Sequence, residues 1–199
     1  MSERSIFTNI ARLWNMGFSI SPPLIPGAAK GHTVERWKPY QTVRATPKQI
    51  YSWYQKYPDH NYAVITGMIS QIVVLDADDE EAEKLVKSKC PSTPVMQVSG
   101  SGRGKHYIYR HPMIRQIRNV QKVNKFNLDI RGDGGLFVGP GSIHELTKLP
   151  YLETEIWTKE LLSNAPIFNP SWLHEKSYKK EKKQEAWKKI VCQNQWKLR

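Results

Sequence analysis

Cysteine is nearly absent: the 199 residues contain only Cys90 and Cys192. The two thiols lie far apart in sequence and by themselves fall short of the four nitrogen or sulfur ligands of a structural zinc site. Reduced structural thiols are expected, with a single disulfide as the alternative. Long apolar runs are missing too, and no stretch approaches the roughly 20 residues that span a bilayer. The opening Met1-Ser2-Glu3-Arg4-Ser5 carries no secretory hydrophobic core, so a cytoplasmic location is expected. Acidic residues are scarce: 18 Asp and Glu stand against 30 Lys and Arg, a formal net charge of +12. Such an excess points first to nucleic acid and second to an anionic membrane surface, and the lack of apolar runs argues against the membrane. There is no internal repeat and no low-complexity tract, so the length suits one large domain or a compact pair of lobes.

Core material is plentiful, with seven Trp and nine Tyr. Ile6, Ile10, Leu13 and Trp14 recur at helical spacing over residues 6–16, and Gly17 ends that segment before a strand and loop through Phe18-Ser19-Ile20-Ser21-Pro22-Pro23. Thr46-Pro47 opens a second helix, with Thr as cap and Pro in the first turn. Strands are predicted at 62–66, 72–76, 95–99, 106–110, 128–131 and 136–138, with a helix from Asp79 to Lys89. The resulting class is α+β, a mixed core rather than a bundle. From Pro170 the composition shifts: nine cations face three acids and supply half of the net charge. The expected division is therefore a catalytic domain over 1–169 and a basic, helical extension or linker over 170–199, where Trp187, Ile190 and Val191 mark an apolar helix face.

Three segments carry chemistry. The first is Ile72-Val73-Val74-Leu75-Asp76-Ala77-Asp78, where period-two alternation puts Asp76 and Asp78 on one side at the end of a buried strand. Carboxylates gathered there would satisfy one another through magnesium or manganese, whereas the plainer reading has Asp78 or Asp79 cap the next helix. Asp-x-Asp after a strand also occurs in phosphatases and glycosyltransferases. The second segment, Ser99-Gly100-Ser101-Gly102-Arg103-Gly104-Lys105-His106, suits phosphate: glycines admit oxygens to the backbone amides, and Arg103, Lys105 and His106 offset charge. It lacks the Gly-Lys-Ser/Thr ending and following helix of a Walker loop. The third runs from Leu128-Asp129-Ile130-Arg131 through Gly132-Asp133-Gly134-Gly135 to Pro140-Gly141-Ser142-Ile143-His144. It places a third carboxylate, Asp129, on a strand, and Ser142 and His144 on one face of extended chain. Asp133, followed by two glycines, reads as a turn residue.

In combination and order these segments resemble the archaeo-eukaryotic primase superfamily, specifically its plasmid and phage type bifunctional primase–polymerase (Prim-Pol) domain. The resemblance covers roughly Gly17 to Trp157, with weaker similarity at the Lys30 to Trp37 loop and at Thr66-Gly67. Family members often have two prolines before the serine, where this chain has Pro140-Gly141. The resemblance implies an RRM-like antiparallel sheet carrying the catalytic carboxylates and an N-terminal α/β part completing the cleft, with the basic C-terminal helical tail lying outside it. It assigns Asp76, Asp78 and Asp129 as catalytic ligands of two Mg²⁺ or Mn²⁺ ions. Arg103, Lys105, His106, Ser142 and His144 become the nucleotide's phosphate cradle. The implied reaction is template-directed nucleotidyl transfer from (d)NTPs to a 3′-hydroxyl on single-stranded or primer–template DNA, with de novo primer synthesis within the family's range. A helicase or other replication domain downstream is an implied partner.

Two rivals fit parts of this pattern. A metal-dependent phosphatase or nuclease could use the same carboxylates to activate water, although the haloacid-dehalogenase pattern wants Thr where Glu80 stands. A non-catalytic nucleic-acid module could stack bases on Tyr107, Tyr109 and Phe137, although aromatics on alternating strands usually serve the core. The tail makes its own prediction. Replacing the lysines between Lys176 and Lys189 by Gln lowers affinity for single-stranded DNA and flattens its salt dependence. The slope of log K against log salt should fall by about 0.7 for each phosphate contact removed, as read by fluorescence anisotropy.

Overall fold

The computed structural model describes residues 6–28 and 32–173. Lys30 of the Gly-rich N-terminal loop and the expected helical tail beyond residue 173 lie outside the described residues. Backbone contacts divide the chain into units at 1–168 and 169–199. Of the second, the described part is a 3₁₀ turn, Pro170–Trp172, opened by the Asn169 side chain, which accepts from the Ser171 N–H.

The first unit runs α1 (Ile6–Met16), β1 (Ser19–Ile20), α2 (Pro47–Lys56), β2 (Ala63–Ile65), β3 (Ile72–Ala77), α3 (Glu80–Lys89), β4 (Met96–Val98), β5 (Lys105–Arg110), β6 (Leu128–Arg131), β7 (Leu136–Val138), β8 (Leu152–Glu153) and α4 (Lys159–Ser163). Every strand pairing is antiparallel, in two sheets of order β1-β2-β7 and β6-β3-β5-β4-β8. This is the expected α+β class, with the carboxylate strands β3 and β6 side by side. Local chemistry explains the elements. α2 begins with a complete capping box: Thr46 Oγ1 accepts from Gln49 N–H, and Gln49 Oε1 accepts from Thr46 N–H. α3 is capped by Asp79, whose Oδ1 accepts from Ala82 N–H at 2.8 Å, and it carries Glu80, Glu81 and Glu83 in the first turn, where the helix dipole favours anions. The cap is thus Asp79, which leaves Asp78 for other work.

The core gathers Ile10 and Leu13 of α1, Phe18, Ile20, Trp53, Tyr62, Val64, Val74, Ile108, Phe137 and Trp157, all buried. Trp157 donates from its indole nitrogen to Met96 O, so its polar edge is satisfied inside. Tyr107 and Tyr109 belong to this interior too: their hydroxyls donate to Glu83 Oε2 and Pro91 O. With Phe137 only 3 % exposed, none of the three is placed as a base-stacking platform. Cys90, which follows α3, is a free thiol pushed up to about 11 by burial, and Cys192 lies outside the described residues.

Asp133 does more than shape its own turn. Its Oδ1 accepts from Met68 N–H at 2.8 Å and its Oδ2 from Ile117 N–H at 2.7 Å, joining two segments remote in sequence. Asp133→Ala removes both acceptors, leaves the partly buried Ile117 amide unpaired and should lower unfolding free energy by roughly 1–3 kcal/mol. Urea denaturation checks the figure, with little change expected in the slope of the transition.

Candidate active site

β3 is hydrogen-bonded on both sides. Its Asp76 is the register partner of His106 on β5 and of Asp129 on β6, and β4 pairs with β5 so that Gln97 faces His106. Directly opposed residues share a face of the sheet. Asp129, Asp76, His106 and Gln97 therefore form one row across four strands, and side-chain contacts join it from end to end. Arg131, two residues beyond Asp129 and on its face, places Nη2 2.8 Å from Asp129 Oδ2 and 2.9 Å from Asp76 Oδ2. His106 Nε2 lies 3.1 Å from Asp76 Oδ1, and Gln97 Nε2 lies 3.0 Å from His106 Nδ1 while donating to Val138 O. His106 is wedged edge-on to Phe137 and stacked on Tyr151.

Asp76 is 6 % exposed. Burial raises its affinity for a proton, but His106 and Arg131 outweigh burial and hold the carboxyl well below the ordinary carboxylate value near 3.8. Asp129 has both oxygens engaged, Oδ2 by Arg131 and Oδ1 by the Lys122 N–H at 2.9 Å. These contacts explain why, among the described residues, no three acidic, histidine or cysteine side chains stand ready-made around a metal position. The donor set itself suits one. Ionised carboxylate oxygens are what hard divalent cations prefer, and a cationic group already bridges two of them.

Asp76 and His106 of this row line a cleft of about 420 Å³. Asp76, Asp78, Ser99, His106, Arg131, His144, Lys148 and Tyr151 reach it, and Ile25, Ile143 and Leu146 give it an apolar rim. The structure thus brings Asp76, Asp78, His106 and His144 to one space, with Asp129 tied in through Arg131. The other expected phosphate ligands go elsewhere. Lys105 neighbours His106 and so takes the opposite face, where its ammonium pairs with Glu83 Oε2 at 2.9 Å. Ser142 is fully buried, and its hydroxyl makes long contacts with the backbone of Tyr62. Arg103 is exposed at the turn and outside the cleft walls. The glycines of that turn also serve packing: a Cβ on Gly100 would fall 2.6 Å from His144 Cβ, and one on Gly104 2.3 Å from Ala77 O.

The sequence profile of the bifunctional DNA primase/polymerase N-terminal domain, Prim-Pol, matches residues 11–166. The chain belongs to this family. No curated protein sequence matches it. The matched Prim-Pol segment spans every strand of both sheets and the whole cleft. None of the described helices is long and apolar enough to cross a membrane.

The structure adds three residues to this row and cleft: Arg131, Gln97 and Lys148. Arg131 was visible in the third segment, and its spacing of two from Asp129 was the signal. Gln97 and Lys148 carried none. The depressed carboxyl of Asp76 has a consequence for stability. A folded-state value below the unfolded one stabilises the protein above the unfolded value, and that contribution is lost as pH falls through the folded one. The stability gap between wild type and Asp76→Asn should therefore be widest near neutrality and shrink below about pH 4, as urea midpoints measured across pH would show.

Proposed function

We propose that this domain is a primase–polymerase acting on DNA: it joins the α-phosphate of a (d)NTP to a 3′-hydroxyl on a template, expelling pyrophosphate. The reading rests on one observation, that Asp76 and Asp129 are cross-strand partners whose carboxylates converge on a single cation at the floor of a cleft in a Prim-Pol domain. Asp76, Asp78 and Asp129 would hold two Mg²⁺ or Mn²⁺ ions. Bound there, the ions supply Lewis acidity, favouring the deprotonated 3′-oxygen and offsetting charge on the triphosphate.

The remaining residues act on position. His106 donates to Asp76 Oδ1 and fixes the carboxylate's rotamer, and Gln97 fixes His106 in turn. His144 and Lys148 face the cleft from the 143–149 turn and are suited to receive the β- and γ-phosphates. Thr147 anchors that turn, its hydroxyl lying 3.1 Å from His144 Nδ1 and bonding to Gly100 O. The apolar rim at Ile25, Ile143 and Leu146 offers a surface for the nucleobase.

Extension of a labelled primer with dNTPs or NTPs and Mn²⁺ tests the reading. Asp76→Asn and Asp129→Asn should each lower extension at least about a hundredfold, since each removes several kcal/mol of charge stabilisation in the transition state. DNA affinity by anisotropy should change little. Full extension by both variants would sink the assignment, and primer shortening in place of extension would point to a nuclease.

A further inference from the structure

Opposed carboxylates on neighbouring strands repel each other, with Cβ atoms only about 4.5–5.5 Å apart. Asp76 and Asp129 are such a pair, and both are largely buried. Arg131 resolves the conflict. Its Nη2 touches one oxygen of each carboxylate, and its Nε reaches Asp76 Oδ2 at 3.3 Å. A single guanidinium therefore stands against both of the oxygens that a shared divalent cation would need.

We infer that Arg131 is a displaceable counter-ion of Asp76 and Asp129: it must release them when a divalent cation binds, and it then pairs with the phosphates of the incoming nucleotide. This inference rests on the reading of Asp76 and Asp129 as metal ligands. The geometry supports the exchange. Arg131 is partly exposed and lines the same cleft as His144 and Lys148, so a change of rotamer redirects its head within one cavity. A guanidinium fork accepts phosphate as readily as carboxylate. Displaced with no anion to receive it, however, the head would stand half-buried and unpaired, which is unfavourable. Metal alone then works against Arg131, whereas metal with a triphosphate does not. Arg131 makes the two ligands bind cooperatively and keeps the carboxylates from stray divalent ions until nucleotide is present.

The test uses the full chain without DNA. Mn²⁺ affinity is measured by electron paramagnetic resonance of the free ion, for wild type, Arg131→Met, Arg131→Lys and Asp76→Asn. Affinity for dATP is measured with and without Mn²⁺ at a fixed free concentration. Arg131→Met should bind Mn²⁺ alone at least about fivefold tighter than wild type, the lower end of ordinary coupling between sites. Its ratio of dATP affinities with and without Mn²⁺ should shrink by a similar factor. Arg131→Lys keeps a cation but loses the fork, so it should lie between the two and serves if the Met variant does not fold. Equal or weaker Mn²⁺ binding in the folded Arg131 variants overturns the counter-ion role while leaving the metal site standing. If wild type shows no Mn²⁺ binding that Asp76→Asn removes, the metal-ligand reading falls and the inference falls with it.

Discussion

The double pairing of β3 is the constraint on which the site depends. A strand with partners on both sides cannot slip by one residue without turning Val74 and Asp76 to the wrong face, and here both neighbours hold it. That register sets Asp76 between His106 and Asp129, and β4 extends the line to Gln97. Each contact is short because the strand spacing is short. No loop has to close and no domain has to move for these four side chains to meet.

The same alternation that builds the cleft builds its support. Residues on either side of the row point the other way, toward α3. There Glu83 Oε2 lies 2.9 Å from Lys105 Nζ and 3.2 Å from Lys87 Nζ, and it accepts from the Tyr107 hydroxyl. Burial works against ionisation of Glu83, but its two lysines keep the carboxyl below its ordinary value. The helix is thus tied through charge to the strand that carries His106, and rigidity on the α3 face becomes precision on the cleft face.

Much of this was legible in the sequence because it follows from periodicity. The boundaries of α1, β6 and β7, the start of β3, the Thr46 cap and the shared cleft of Asp76 and Asp78 come from local patterns that tertiary structure had no reason to override. The surroundings of the expected phosphate ligands are less legible, because residue type alone does not say which face of a strand a side chain takes. Lys105 is a cation beside a glycine turn, yet it is adjacent to His106 in the strand, and adjacent residues cannot share a face. Ser142 and His144 do share spacing, but Ser142 sits where the chain enters the interior behind Tyr62 and is absorbed there. Gln97 was invisible for a different reason: its meaning lies in a partner strand whose register no short segment encodes.

Gln97 also fixes the orientation of the histidine. Its amide nitrogen donates to Val138 O, which orients the amide and turns N–H toward His106 Nδ1. On the other side of Asp76, Arg131 brings its guanidinium against both row carboxylates. Two carboxylates in the row and Asp78 beside them thus gather acidic groups inside a protein whose net charge is +12. The two signs act over different distances. The basic excess attracts polyanions over roughly a Debye length, whereas the acidic row acts only at contact, so a net charge of +12 and an acidic row do not cancel each other's effect.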